Sequence, residues 1–187
     1  MNNYSISQYG KPLDKSKYTI DEYTKTFSSD ENDLVLDFHN LDNCTFKTGS
    51  CCTFKAGSCC TFKAGSYCTF KAGSYCTFNT GSNCTFDTGS DCTFDTWSYC
   101  TFKAGSDCTF KTWSNCTFKT GNDCTFKTGN DCVVVRRDIY EVIELTENKK
   151  IKLNGYGIKG FTDMEDKEEL TLKQVCKELG REIKIIK

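Results

Sequence analysis

From residue 44 to residue 132 the chain alternates apolar and polar positions in a fixed cycle of eight. Cysteine stands at 44, 52, 60, 68, 76, 84, 92, 100, 108, 116, 124 and 132, and eleven of these open the tripeptide Cys-Thr-Phe. The consensus octad is Cys-Thr-Phe-Lys-(Thr/Ala)-Gly-Ser-x. In an extended chain, positions 1, 3 and 5 (Cys, Phe and a small residue) share one face, and positions 2 and 4 (Thr and Lys) share the other. Gly, Ser and the variable residue then supply a turn. A helix does not fit. Phe at every eighth position drifts around a spiral of 3.6 residues per turn, and a Gly in nearly every octad costs about 1 kcal/mol in a helix interior.

One octad cannot enclose a core. Two octads can, as two short strands joined by two turns; three would give a triangular coil. Trp97 and Trp113 both replace the octad Gly and lie two octads apart, which favours the two-octad coil because only there do they stack on one edge. The predicted fold is mainly β: a two-sided parallel β-solenoid of octapeptide repeats, six coils and roughly 30 Å long at the usual strand spacing. Phe46, Phe62 and Phe78 begin one internal stack, and Phe54, Phe70 and Phe86 begin the facing one. Each buried Phe contributes about 2 kcal/mol by transfer from water.

The flanks lack the octad. Residues 1–43 carry four Lys against eight Asp or Glu and form an acidic N-terminal cap, with Leu34–His39 as a strand that leads into the first coil and covers its open edge. Residues 133–187 read as a small α+β C-terminal cap or docking module. Asp138–Leu145 and Lys150–Leu153 suggest a hairpin. Thr171 to Gln174 forms a capping box before a helix whose apolar face is Leu172, Val175, Cys176 and Leu179. Ile183, Ile185 and Ile186 suggest a final strand.

Composition narrows the function. The net charge is -1, so no global field draws the chain toward nucleic acid or acidic membranes. No apolar run approaches the ~20 residues of a membrane helix. The first residues lack the basic start and apolar stretch of a secretory signal, so the expected location is the cytoplasm, or a virion if the source is viral. Fifteen cysteines admit three readings. The preferred one is a ladder of reduced thiols acting as small buried apolar groups. Disulfides are a second, though in-register Cβ vectors run parallel at the strand spacing, too far apart for the ~3.8 Å that a disulfide prefers. Metal binding is a third, though metal sites favour shorter Cys spacings. Cys51 and Cys59 fall at turns and are expected to be exposed.

The outward columns are Thr at position 2 and mostly Lys at position 4, relieved in the middle by Asn79, Asp87 and Asp95. A solvated face with charge relief is the simpler reading, and a polyanion-binding face the sharper one. The Thr column resembles that of insect antifreeze solenoids, but those present paired Thr columns, and here the second column is Lys; ice binding is therefore a minor alternative. The octad array as a whole resembles the short-repeat β-solenoids of phage, bacterial and large-virus proteins, distant cousins of pentapeptide-repeat proteins. That resemblance covers residues 44–132, is architectural, and implies no site residues and no activity.

No phosphate loop, nucleophile elbow, His-based metal motif or Cys–His pairing occurs, and the single His39 lies outside the repeat. The expected function is a non-catalytic scaffold or protein-interaction module, without cofactor or catalytic residue, that binds a protein partner or itself. Its candidate binding residues are those that break the repeat: Trp97, Trp113 and Tyr99, with Tyr67 and Tyr75. Trp at a Gly position carries a backbone cost if that position needs positive φ. A solenoid enzyme is the remaining alternative.

Overall fold

A computed structural model of the chain describes residues 4–39 and 41–164. The octads form the strands that their alternation predicts. They are β6 (Thr45–Lys47), β7 (Thr53–Ala56), β8 (Thr61–Ala64), β9 (Thr69–Lys71), β10 (Thr77–Thr80) and β11 (Thr85–Asp87), then β12 (Thr93–Thr96), β13 (Thr101–Lys103), β14 (Thr109–Lys111), β15 (Thr117–Thr120) and β16 (Thr125–Lys127). Even-numbered strands pair in parallel in one sheet and odd-numbered strands in the other, always with an offset of two octads: Phe46 opposite Phe62, Phe62 opposite Phe78, Phe54 opposite Phe70. The coil is two-sided. Backbone hydrogen bonds also run between coils through the turns, as from the Gly65 amide to the Gly49 carbonyl at 3.0 Å and from the Cys51 amide to the Ser66 carbonyl at 2.9 Å.

The core follows from position 3. Within a column the Phe rings stack nearly parallel with centroids 4.8 to 5.0 Å apart, and across the coil they meet edge to face, as Phe78 and Phe86 do at 5.2 Å. Both arrangements suit the ring quadrupole. Position 1 adds a buried Cys at every octad. Position 5 also faces inward, and where it is Thr its hydroxyl is mostly stranded: the hydroxyls of Thr48 and Thr112 donate to the Gly49 and Trp113 carbonyls, but those of Thr80, Thr88, Thr96, Thr120 and Thr128 are buried without a partner. The soft sulfurs of Cys84 and Cys92 beside Thr80 and Thr88 offer only weak acceptors.

The stack has seven coils rather than six. The first is made by β4 (Thr26–Ser28) and β5 (Leu34–Phe38), which pair in parallel with β6 and β7. Phe27 sits opposite Phe46 and Leu36 opposite Phe54. Both offsets exceed two octads, so this coil is longer than the repeat and the period of eight does not reveal it. Leu34–Phe38 thus covers the edge of the first octad coil, as expected, and does so as a strand of one further coil. The cover of that further coil is antiparallel: β1 (Ser5–Gln8) lies on β5 and β2 (Lys11–Pro12) on β1, while β3 (Thr19–Asp21) lies on β4.

At the other end β17 (Cys132–Arg136) completes the seventh coil, with Val134 in the Phe place opposite Phe118. The expected hairpin does not form. β18 (Val142–Leu145) pairs antiparallel with β17, whereas β19 (Lys150–Leu153) pairs with β16 in the other sheet and carries β20 (Phe161–Asp163) on its outer side. Each open sheet edge needs its own partner strand, and two edges on opposite sides of the coil cannot be satisfied by strands that pair with each other. The cap strands bring aliphatic residues against the last core positions: Ile143 opposite Val134, and Ile151 opposite Phe126. The predicted helix at Leu172–Leu179 and the strand at Ile183–Ile186 lie outside the described residues, so the described part of 133–187 is entirely β and continuous with the two sheets.

Arg136, whose side chain is fully buried, occupies the inward position that is Thr or Ala in the octads. It donates to both Asp138 oxygens, at 3.2 and 2.6 Å, and to the Gly155 and Ile158 carbonyls. Asp138 in turn accepts from the Gly157 amide at 3.0 Å, and Glu141 from the Gly160 amide. This ionic latch ties the loop before β20 to the last coil. Burial pushes the Asp138 carboxyl up, but the Gly157 amide and the Arg136 guanidinium outweigh it and hold the group below the usual carboxylate range.

Candidate interaction edge

The turns that follow the strands of the two sheets form two edges of the rod. Their geometry assigns the roles of Gly, Ser and x. Positive φ falls on x, at 57 to 61° from Cys51 through Asp123, and not on Gly. Asn and Asp tolerate this left-handed conformation best, and seven of the twelve x positions from 43 to 131 are Asn or Asp. The Gly is required by a close approach instead. A Cβ on Gly65 would stand 2.2 Å from the Ser50 hydroxyl of the coil before it, and that hydroxyl accepts from the Ser66 amide at 3.1 Å.

Trp97 and Trp113 occupy this Gly position on the edge that follows the even-numbered strands, between Gly81 and Gly129. The position does not need positive φ, so no φ penalty falls on them; the left-handed residue is two places further on. Their cost lies in the serine ladder. The Ser82 amide donates to the Ser66 hydroxyl at 3.0 Å, but the Ser98 and Ser114 amides make no such bond among the described residues. In its place the two indoles stack on each other, with centroids 5.9 Å apart and planes 18° from parallel, and remain 61% and 65% exposed. A stacked pair of large apolar groups left in water is what distinguishes this edge from the rest of the rod.

The tyrosines divide. Tyr67 and Tyr99 share the Trp edge, at the x position, but make no ring contact with the tryptophans among the described residues. Tyr75 lies on the opposite edge, so the aromatic residues are not all gathered on one side. All three hold φ near 60° and are exposed. Beside Trp113 is a recess of about 310 Å³, lined by Lys111, Trp113, Lys127, Gly129, Glu147 and Asn148 among others. Glu147 and Asn148 come from the turn between β18 and β19, held by the bond from the Asn148 amide to the Thr128 carbonyl at 2.9 Å. Nothing in the sequence pattern links them to Trp113. Only the stacking of the cap on the last coil brings them there.

The other candidate groups are accounted for by the fold. None of the fourteen described cysteines is disulfide-bonded; Cys51 and Cys59 are exposed and the twelve octad cysteines are buried. The octad thiols face backbone carbonyls, as Cys76 does with Ser74 at 3.5 Å and Gly57 at 3.7 Å. Burial pushes the Cys44 thiol up to about 11. Cys68 and Cys76 are raised by hydrogen bonding with the sulfurs above and below them, and by burial. No group of His, Cys, Asp and Glu side chains suited to a metal ion occurs among the described residues. His39 binds Asp37 at 2.6 Å on the first coil, and this bond holds the Asp37 carboxyl below its usual range. On the flat faces Lys55, Lys103 and Lys111 pair with Asp37, Asp87 and Asp95 of the preceding coil at 3.2 to 3.5 Å. No described helix is long and apolar enough to cross a membrane.

Comparison with protein-family models, with curated proteins and with solved structures finds no match for this chain.

Proposed function

We propose that the protein is a non-catalytic β-solenoid scaffold that engages a protein partner, or a second copy of itself, through the edge bearing Trp97 and Trp113. The observation that carries this reading is the pair of stacked, solvent-exposed indoles on a rod whose Phe–Phe stacks are all buried. Tryptophan is enriched where binding energy concentrates, and a surface that presents the same Thr and Lys at nearly every coil discriminates poorly between partners. The architectural resemblance to phage and large-virus solenoids extends the proposal to a structural or host-interaction part of such a particle. Polyanion binding along the faces is the weaker alternative, because Lys103 and Lys111 are already paired with neighbouring aspartates.

The test compares Trp97→Ala/Trp113→Ala with a set of Lys→Gln changes along position 4. Particle mass by light scattering and partner capture are measured at physiological salt, with circular dichroism as the control for folding. Loss of self-association or of partner capture is expected from the Trp variant alone. Silence of the Trp variant together with loss in the Lys set would make the faces the site.

A further inference from the structure

We propose that the recess beside Trp113 is a receptor for a guanidinium group, and that the feature recognised is an arginine side chain on a partner protein. This rests on the reading of the Trp edge as the interaction surface and supplies its chemistry.

Trp97 covers one face of the Trp113 indole. Trp113 and Gly129 together line the recess, and Trp97 does not. The next rung of the ladder, where a third indole would stand, is Gly129, which has no side chain to fill that place. Glu147 and Asn148 also line the recess. An indole face attracts cations through its negative quadrupole, and tryptophan does so best among the aromatic residues.

Charge decides among the flat ligands that would fit. Lys111 is bound to Asp95 at 3.3 Å, and Lys127 is not without a partner of its own. Glu147 has neither an ion pair nor a hydrogen bond among the described residues. The uncommitted charge at the recess is therefore a carboxylate beside an indole face. A guanidinium matches both: its plane stacks on the ring, and its fork of N–H donors reaches Glu147 and the Asn148 amide oxygen. A lysine ammonium is more strongly hydrated and has no plane to stack, and an anion would meet Glu147.

The experiment uses the full chain labelled with ¹⁵N, whose two indole N–H signals report the site directly. The probes are N-acetyl-arginine amide and its uncharged, isosteric citrulline counterpart, both at millimolar concentration. Arginine amide is expected to move the Trp113 signal saturably and further than that of Trp97, with roughly fivefold lower affinity for citrulline amide. Glu147→Gln should erase most of that difference. Gly129→Trp, which makes the replacement the chain already tolerates at 97 and 113, should fill the empty rung and abolish the response while the strand signals persist. Equal affinity for citrulline amide, or an unchanged preference in Glu147→Gln, overturns the proposal. If arginine amide leaves Trp113 unmoved while Trp97→Ala/Trp113→Ala still loses partner capture or self-association, the guanidinium chemistry is wrong and the edge remains the interaction surface.

Discussion

At the corners of the rod, single side chains hold backbone conformations that their neighbours have adapted to. The x residue carries positive φ at every turn of the repeat, and the chain fills it with Asn or Asp in most copies. Tyr67, Tyr75 and Tyr99 do the same with a bulky side chain, at a backbone cost of roughly 1–2 kcal/mol for a residue without the local hydrogen bonding of Asn. Tyr75 sits on the edge without tryptophans, so it tests the cost apart from the candidate site. Tyr75→Asn should stabilise the protein by about 1 kcal/mol, seen as a higher urea midpoint with unchanged slope. An unchanged or lower midpoint would mean that the ring makes a compensating contact.

At the scale of the element, the cap strands decide whether a stack of parallel strands can end in water. β16 and β17 would otherwise present two open edges, and β18 and β19 cover one each. A chain ending at Arg136 keeps all seven coils but loses both covers, and should form higher oligomers by light scattering at concentrations where the full chain does not. A monodisperse truncated chain would show that the edges are harmless. The Arg136–Asp138 latch adds a pH dependence to the same cap. Asp138 is held below its ordinary value, so the unfolded chain binds the proton more readily than the folded one. Its contribution is complete above the ordinary carboxylate range near pH 4 and is lost as pH falls through the lower, folded value. Asp138→Asn should lower the urea midpoint at pH 6, because Arg136 remains buried without its counter-ion, and should flatten part of the fall between pH 5 and pH 2.5. A variant whose pH profile matches that of the unaltered chain would remove Asp138 from this role.

For the whole molecule, the cysteine array is a measure of the intact stack. Thiolate is the reactive form, and the twelve octad thiols are buried, where a reagent cannot reach them while the stack is closed. Ellman's reagent should find Cys51 and Cys59 promptly in the native protein, while the twelve octad thiols react only as the coils open. Rapid labelling of many octad thiols at neutral pH would mean that the stack breathes coil by coil. The edge with Trp97 and Trp113 belongs to this scale too, since the pair exists only because two turns separated by two octads of sequence become neighbours along the rod.

The period of eight, the alternation of Cys and Phe against Thr and Lys, and the two-octad spacing of the tryptophans were enough to derive the two-sided coil, the Phe stacks and the shared Trp edge. These are repeated, local signals, and each copy reinforces the others. The first coil escaped because its offsets, both longer than two octads, break the period while Phe27 and Leu36 still fill the ring places. The hairpin expected at 138–153 failed because two strands adjacent in sequence were drawn to different sheet edges, a competition that only the assembled stack creates. Whether the glycine serves positive φ or a close approach was open in the sequence. Sequence shows that Gly is wanted, but only the approach of a serine from the coil before shows that space, not positive φ, is the reason. The recess at Trp113 was invisible for the same cause: Glu147 and Asn148 meet Gly129 because the cap lies on the last coil. A repeat dictates its own contacts through periodicity, whereas contacts between unlike segments depend on which edges remain unpaired once the repeat has folded.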